Sequence, residues 1–422
     1  MTASSLYNMV DSIFIGHGVG PLAISGLAIT FPLMNLAAAF GSLVGVGAST
    51  LVSVKLGQKD YATAQNILGN VVTLNFIIGI GFSILTLLFL DPILYFFGAS
   101  PDTISYARDY MVIILLGNVI THMYLGLNAL LRASGHPQKA MIATITTVII
   151  NTILDPIFIY LFHWGIQGAA IATMLSQVVG GLLPVFYFLN RKNTSLLHLC
   201  RTQFEGGVLL KACVNGSSEL MTNLSMSLVN ILYNYQLLRL GGEDGVAAYG
   251  VIMYAAFLFV AVFVGYAVGS APIVSFHYGA RNHAEVHNLY SKSLRLIGVV
   301  AVVMTGISMV FIPYVSRIFV GYDASLLALT NRAFRLYALS FLIMGFNVYA
   351  SSFFTALGDG VTSALISFLR TMLFQVIAII VLPMLLGIDG IWLAVTAAEL
   401  AALAVSAAML LTKDKVFHYR KV

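Results

Sequence analysis

The chain has 422 residues, 59% hydrophobic and 9% charged, with a formal net charge of +5. Soluble domains carry about 25% charged residues, so this composition excludes a soluble globular protein and predicts a polytopic membrane protein. The basic surplus is explained by loop charges that orient such a protein, not by a nucleic-acid partner. Cys200 and Cys213 give neither a disulfide framework nor a metal-ligand spacing.

Apolar runs bounded by glycine, proline and charge predict twelve helices in chain order: 2–16, 25–55, 61–89, 103–133, 139–161, 166–190, 206–240, 245–277, 286–316, 326–356, 361–386 and 390–411. Several exceed the length needed to span and are expected to tilt. The first is short. Fifteen residues at about 1.5 Å each fall below the roughly 30 Å hydrocarbon core. It reads as truncated, with its natural start upstream, or as half-length.

Lysine and arginine set the orientation. Fifteen of them gather at one set of helix ends and five at the other. Both termini are therefore expected in the cytoplasm, with the basic 191–205 link. The Asn193 sequon, in that link, reads as a chance match. The predicted organisation is a six-helix bundle over 1–190, a linker at 191–205, and a second six-helix bundle with a short basic tail over 206–422.

The two halves repeat. "LVSVKLGQKDYATAQN" (51–66) aligns with "IVSFHYGARNHAEVHN" (273–288) at an offset of 222, and "WGIQGAAIA" (164–172) with "LGIDGIWLA" (386–394) at the same offset. "LRASG" (131–135) meets "FTALG" (354–358) with one residue of slippage. Six helices per half is an even number, so the halves share one orientation. The fold class is thus all-α, two bundles related by a pseudo-two-fold axis along the membrane normal, as in transporters built from parallel repeats.

Five charges lie well inside predicted helices, away from their ends: Asp11, Asp155, Glu219, Arg370 and Glu399. A charge at a helix centre costs about 2.5–3.5 kcal/mol on translocon scales, so each needs a reason. Asp11 and Asp155 fall in one layer near the same membrane face. Asn151 is one turn before Asp155 on the same face, and Pro156 frees the Thr152 carbonyl. Tyr7 shares a face with Asp11, and Thr173 in the next helix is a further candidate. This set suits a proton or a cation, with Na+ held by Asp11, Asn151 and Asp155. Arg370 and Glu399 lie at similar depth on consecutive helices, which favours a structural ion pair. Glu219, among polar residues, is a candidate second-half polar site or a packing residue. The glycines of "GSLVGVGAS" (41–49) are not a nucleotide loop. GxxxG at 41–45 and 265–269 reads as close helix packing. No HExxH or GxSxG is present.

The ordered set "LYNMVDSIFIG", "GVGASTLVSVKLGQKD", "LRASGHPQKA" and "NTILDPIFI" resembles the multidrug and toxic compound extrusion (MATE) family along all twelve helices. The resemblance implies a secondary antiporter that exports organic, often cationic, drug-like compounds in exchange for H+ or Na+. It implies rocking-bundle alternating access, no cofactor, and a plasma-membrane location, with a monomer expected. It places the coupling ion in the first half, on the matching residues Asp11, Tyr7, Asn151, Asp155 and Thr173. Glu219 resembles an acidic position in some branches. A flippase for a lipid-linked precursor is the alternative, although Arg370 is the only deep arginine. A membrane-embedded enzyme is a weaker one, for want of a nucleophile or acid–base constellation.

Overall fold

The computed structural model describes residues 14–15, 18–192, 195–200, 202–321 and 323–420. The predicted helix 2–16, apart from Phe14 and Ile15, lies outside the described residues, as does Asn193.

The described helices are α1 (Pro21–Gly57), α2 (Tyr61–Leu88), α3 (Leu90–Phe96), α4 (Ile104–Ala133), α5 (Pro137–Pro156) and α6 (Gly165–Leu189) in the first half. A π-helical turn, Ile157–Leu161, follows α5. Then come α7 (Gly206–Gly279), α8 (His283–Val320), α9 (Ala324–Ala338), α10 (Phe341–Ala356) and α11 (Gly360–Phe368). A second π turn, Leu369–Leu373, joins α11 to α12 (Phe374–Leu386), and α13 (Ile388–Thr412) and α14 (Asp414–Phe417) finish the chain. The 74-residue α7 is two spans joined at Gly242, whose φ of 60° breaks the helix. α9 and α10 are one span bent by 44°. Nine described helices are long and apolar enough to cross a membrane. Counting α7 as two spans and the bent pair as one more gives eleven among the described residues.

The sequence is built for an apolar solvent. On α5, Ile145, Ile149 and Ile153 are 41–54% exposed, whereas Ala140, Ala143, Thr147, Asn151 and Asp155 form the buried stripe. Small and polar residues pack inward, where helices hydrogen-bond each other, and branched aliphatics face outward.

The repeat reappears in backbone detail. Lys59 and Arg281, 222 residues apart, both turn with φ near 60° (61° and 57°), a left-handed conformation that costs a non-glycine residue about 1 kcal/mol or more. One residue later Asp60 caps α2 through Thr63 N at 3.2 Å, and Asn282 caps α8 through Glu285 N at 3.1 Å. Ser53 donates to the Ala133 carbonyl, and Ser275 to that of Ala356.

The chain divides into two compact units, Met1–Leu220 and Met221–Val422. Segment 191–205 belongs to the first. Its described part is strapped to α2 by side-chain amides: His198 N donates to Gln65 Oε1 at 2.8 Å, Gln203 N to Asn66 Oδ1 at 3.0 Å, and Glu205 N to Asn70 Oδ1 at 2.9 Å. The start of α7 also packs in this unit, because a side chain on Gly47 or Gly216 would collide with the facing backbone of Ala212 or Leu43.

Two apolar clusters form the first unit's core. One gathers Ile15, Leu27, Leu94 and Tyr110, and the other Val52, Leu68, Phe188 and Leu197. α5 runs from Ala140 in the second cluster to the turn carrying Ile159 in the first, so its Thr147–Asp155 stretch lies between them. In the second unit Val274, Phe353 and Tyr419 form a cluster matching the Val52 one.

The GxxxG expectation holds in the first half only. A Cβ on Gly45 would meet Gly126 Cα at 2.9 Å, but Gly265 and Gly269 have nothing within 4 Å among the described residues. The second motif is therefore not a packing contact there. Glycine spacing alone does not say which face another helix covers.

Candidate functional site

Asp155 and Asn151 are a deeply buried polar pair of the first unit, at 0% and 1% exposure. The i, i+4 spacing puts both on the inward stripe of α5. Asn151 Nδ2 donates to Asp155 Oδ1 and to Thr173 Oγ1 on α6, at 3.3 Å each. Thr173 is 1% exposed. With both donations made, Asn151 Oδ1 is buried without a hydrogen-bond partner among the described residues. An amide oxygen in that position accepts a proton donor or serves a cation as a neutral ligand.

Pro156 has no N–H to offer the Thr152 carbonyl. The helix resumes after it as a π turn, a rare geometry frequent at functional sites. That turn meets the described end of the first predicted helix: Tyr160 Oη donates to the Phe14 carbonyl at 3.1 Å, and the two rings stand edge-on at 6.2 Å. Tyr7 and Asp11 lie outside the described residues.

Glu219 is half-buried in the first unit and acts electrostatically on Arg132 at the end of α4. Arg132 in turn donates to Asn128 Oδ1. Glu219 thus acts on a first-unit arginine although its helix begins the second repeat. In the second unit Arg370 Nη1 lies 3.5 Å from Glu399 Oε1. Glu399 Oε2 accepts from Asn347 Nδ2 at 2.7 Å. Both acids, Asp155 and Glu399, are thus held by an asparagine.

Sequence reasoning passed over Asn347 and a buried hydroxyl cluster of Ser351, Thr355, Ser363 and Ser367. The i, i+4, i+8 spacing of Asn347, Ser351 and Thr355 was the available signal. It also passed over His122 and Asn75, both fully buried.

Among the described residues no three His, Cys, Asp or Glu side chains group as a metal site. An apolar cavity of about 800 Å³, walled by Phe40, Phe82, Phe89 and Phe97, opens in the first unit. None of the polar residues above lines it.

The MatE family model matches residues 1–157 and 220–381. The multidrug export protein MepA of Staphylococcus haemolyticus (strain JCSC1435) is 25% identical over 398 residues, 92% of this chain and 85% of that protein. MepA of Staphylococcus aureus (strain NCTC 8325 / PS 47) is 24% identical over 98% of this chain and 91% of its own length. A solved outward-facing conformation of a multidrug resistance MATE family transporter of the MOP superfamily superposes with a TM-score of 0.93 at 25% identity, over 99% of this chain and 93% of that one. The chain belongs to the MATE family and is a multi-pass membrane transporter, not an enzyme.

Proposed function

We propose that this protein is a secondary multidrug efflux transporter of the plasma membrane. It exchanges organic, often cationic, compounds for H+ or Na+ by alternating access, with both termini in the cytoplasm. The observation that carries the coupling site is the Asp155–Asn151–Thr173 cluster: a fully buried carboxylate beside an amide oxygen with no described partner, at a broken helix. Asp11 and Tyr7 complete the site in this reading. What supports including them is that Phe14, three residues after Asp11 in sequence, packs against the π turn that follows Asp155.

Low dielectric and a neighbouring carboxylate both favour the neutralised form of an acid. A proton on Asp155, or Na+ between the two carboxylates and Asn151 Oδ1, neutralises the pocket and permits it to be dry. Loss of the ion demands water. The ion gradient thereby acts differently on the two conformations, which is what coupling requires. Glu219 beside Arg132 serves packing at the basic end of the bundle, and Arg370–Glu399 holds the second unit together.

The test is uptake of a fluorescent organic cation into everted vesicles, with pH and sodium gradients imposed separately. Asp155→Asn should fold and insert, yet lose gradient-driven uptake. Near-normal uptake by that variant, still responding to the gradient, would refute the assignment of Asp155.

A further inference from the structure

The hydroxyls between α10 and α11 form a line. Thr355 Oγ1 and Ser363 Oγ are 2.7 Å apart, Ser363 Oγ and Ser351 Oγ 2.9 Å, and Ser351 Oγ and Ser367 Oγ 2.8 Å. All four residues are 8% exposed or less. In each contact either oxygen can donate, so the line can reverse its polarity. It starts beside the turn at Gly358–Asp359, where Asp359 meets Lys413 at 2.9 Å. It points along α10 to Asn347, one turn beyond Ser351, whose Nδ2 holds Glu399. Asn347 Oδ1 is buried with no partner among the described residues.

The first unit keeps a polar seam in the same register. At the offset of 223 that aligns the helix starts Pro137 and Gly360, Asn347, Ser351 and Ser367 correspond to Tyr124, Asn128 and Thr144. There Tyr124 Oη donates to Thr144 Oγ1 at 3.0 Å and Asn128 Nδ2 to the Ala140 carbonyl at 3.0 Å. Only in the second unit is the seam made of hydroxyls that end near an acid.

We infer that the Thr355–Ser363–Ser351–Ser367 line is a proton path from the Asp359–Lys413 end of the second unit to Glu399, which is a second proton-exchange site. Each hydroxyl accepts a proton on its oxygen and passes its own onward. In this path the remaining turn, from Ser351 to Glu399, is crossed by a water donating to the otherwise unpartnered Asn347 Oδ1. The carboxylate of Glu399 gains an O–H bond and loses its charge, and the proton comes from water at the Asp359 end. Arg370 is the charged group facing Glu399, and Tyr337 on α9 the further titratable one. The 3.5 Å between Arg370 Nη1 and Glu399 Oε1 exceeds the roughly 2.7–2.9 Å of a charge-assisted hydrogen bond. Protonation leaves Arg370 unpaired, so it favours a conformation in which the guanidinium is wet. That makes Glu399 a second place where an ion gradient biases the transporter, and the inference rests on the transporter reading in this respect alone.

Infrared difference spectra of the purified protein between acid and neutral pH should contain a protonated-carboxyl C=O band that Glu399→Gln lacks. On transfer to heavy water this band should deuterate an order of magnitude more slowly in Ser351→Ala and Ser363→Ala than in the wild type. The serine variants retain Glu399, so they test the path even if Glu399→Gln folds poorly. A band unchanged in Glu399→Gln, or deuteration at the wild-type rate in both serine variants, would overturn the inference. These spectra need no substrate. Failure of wild-type proteoliposomes to move any organic cation would instead refute the proposed cation efflux and leave the infrared result standing.

Discussion

Asn151, Asp155 and Thr173 of the first half have as repeat counterparts Phe374, Ala378 and Val395. The counterparts of Asn347, Arg370 and Glu399 are Tyr124, Thr147 and Gln177. The two halves share helix starts, caps and left-handed turns, yet each keeps its buried acid where the other has none. A duplicated scaffold tolerates this because the packing that defines it sits elsewhere, in contacts such as Ser53–Ala133 and Ser275–Ala356.

The largest way to break the comparison is to move the acid. Ala378→Asp puts a carboxylate at the second-half counterpart of Asp155, where Phe374 and Val395 offer no hydrogen-bond donor. A buried unpaired charge costs about 3–5 kcal/mol or more. The variant should lose most of its folded yield, as read by fluorescence-detected size exclusion, while Asp155→Asn keeps its own. Full yield for Ala378→Asp would mean that the second half tolerates an acid there.

Removing Arg370 from its own half should cost nearly as much. Arg370→Ala leaves Glu399 with Asn347 alone, an expected loss of about 3–5 kcal/mol. Adding Glu399→Gln should restore part of the melting temperature, since an amide needs no counter-charge. Additive losses in the double variant would show that the two groups do not interact.

The ends of the two repeats offer a gentler comparison. Leu197 and Tyr419, 222 residues apart, are both fully buried and both lie beside side chains that hold the chain end. Gln65 accepts from His198 N, and its counterpart His287 bonds the Tyr419 carbonyl at 3.0 Å. Tyr419 adds a hydrogen bond from its hydroxyl to the Leu410 carbonyl at 2.7 Å. Tyr419→Ala and Leu197→Ala should each destabilise by about 2–5 kcal/mol. Tyr419→Phe should cost only about 1 kcal/mol. Thermal unfolding monitored by tryptophan fluorescence separates these outcomes.

What the sequence made legible follows the length scale of the interactions. Local chemistry fixes helix ends, so the observed starts at Tyr61, Pro137 and Gly165 lie within two residues of expectation. The i, i+4 pairing of Asn151 and Asp155 was equally local. The 44° bend after Ala338 was not, because no proline or glycine marks it. The π turns were only half visible: Pro156 announces one, and nothing local announces the other at Leu369. Apart from the Arg370–Glu399 and Asn151–Thr173 contacts, long-range contacts were hidden. The start of α7 belongs to the first unit through Gly47 and Gly216, residues 169 positions apart. The strap of 195–205 depends on three amides of α2 that look, in sequence, like an ordinary polar helix start.

The smallest expected effect sharpens the comparison at the caps. The first half begins α5 at His136–Pro137 with no side-chain cap. The second begins α11 with Asp359, whose carboxylate accepts from Thr362 N at 3.1 Å and from Thr362 Oγ1 and Lys413 Nζ at 2.7 and 2.9 Å. Burial pushes the Asp359 carboxyl up, but Lys413 and Thr362 together outweigh it and hold the group below its ordinary value. A carboxyl depressed by folding contributes stability above its unfolded pKa of about 3.9 and loses it as pH falls through the lower, folded value. The wild type should therefore exceed Asp359→Asn in melting temperature at neutral pH, with the gap closing only below about pH 4. Lys413→Met should remove part of the same gap, because the threonine contacts remain. The corresponding variant in the first half, His136→Asn, should leave the acid limb of the melting curve unchanged. A gap that persists at pH well below the carboxylate range would show that Asp359 acts through its shape and hydrogen bonding, not its charge.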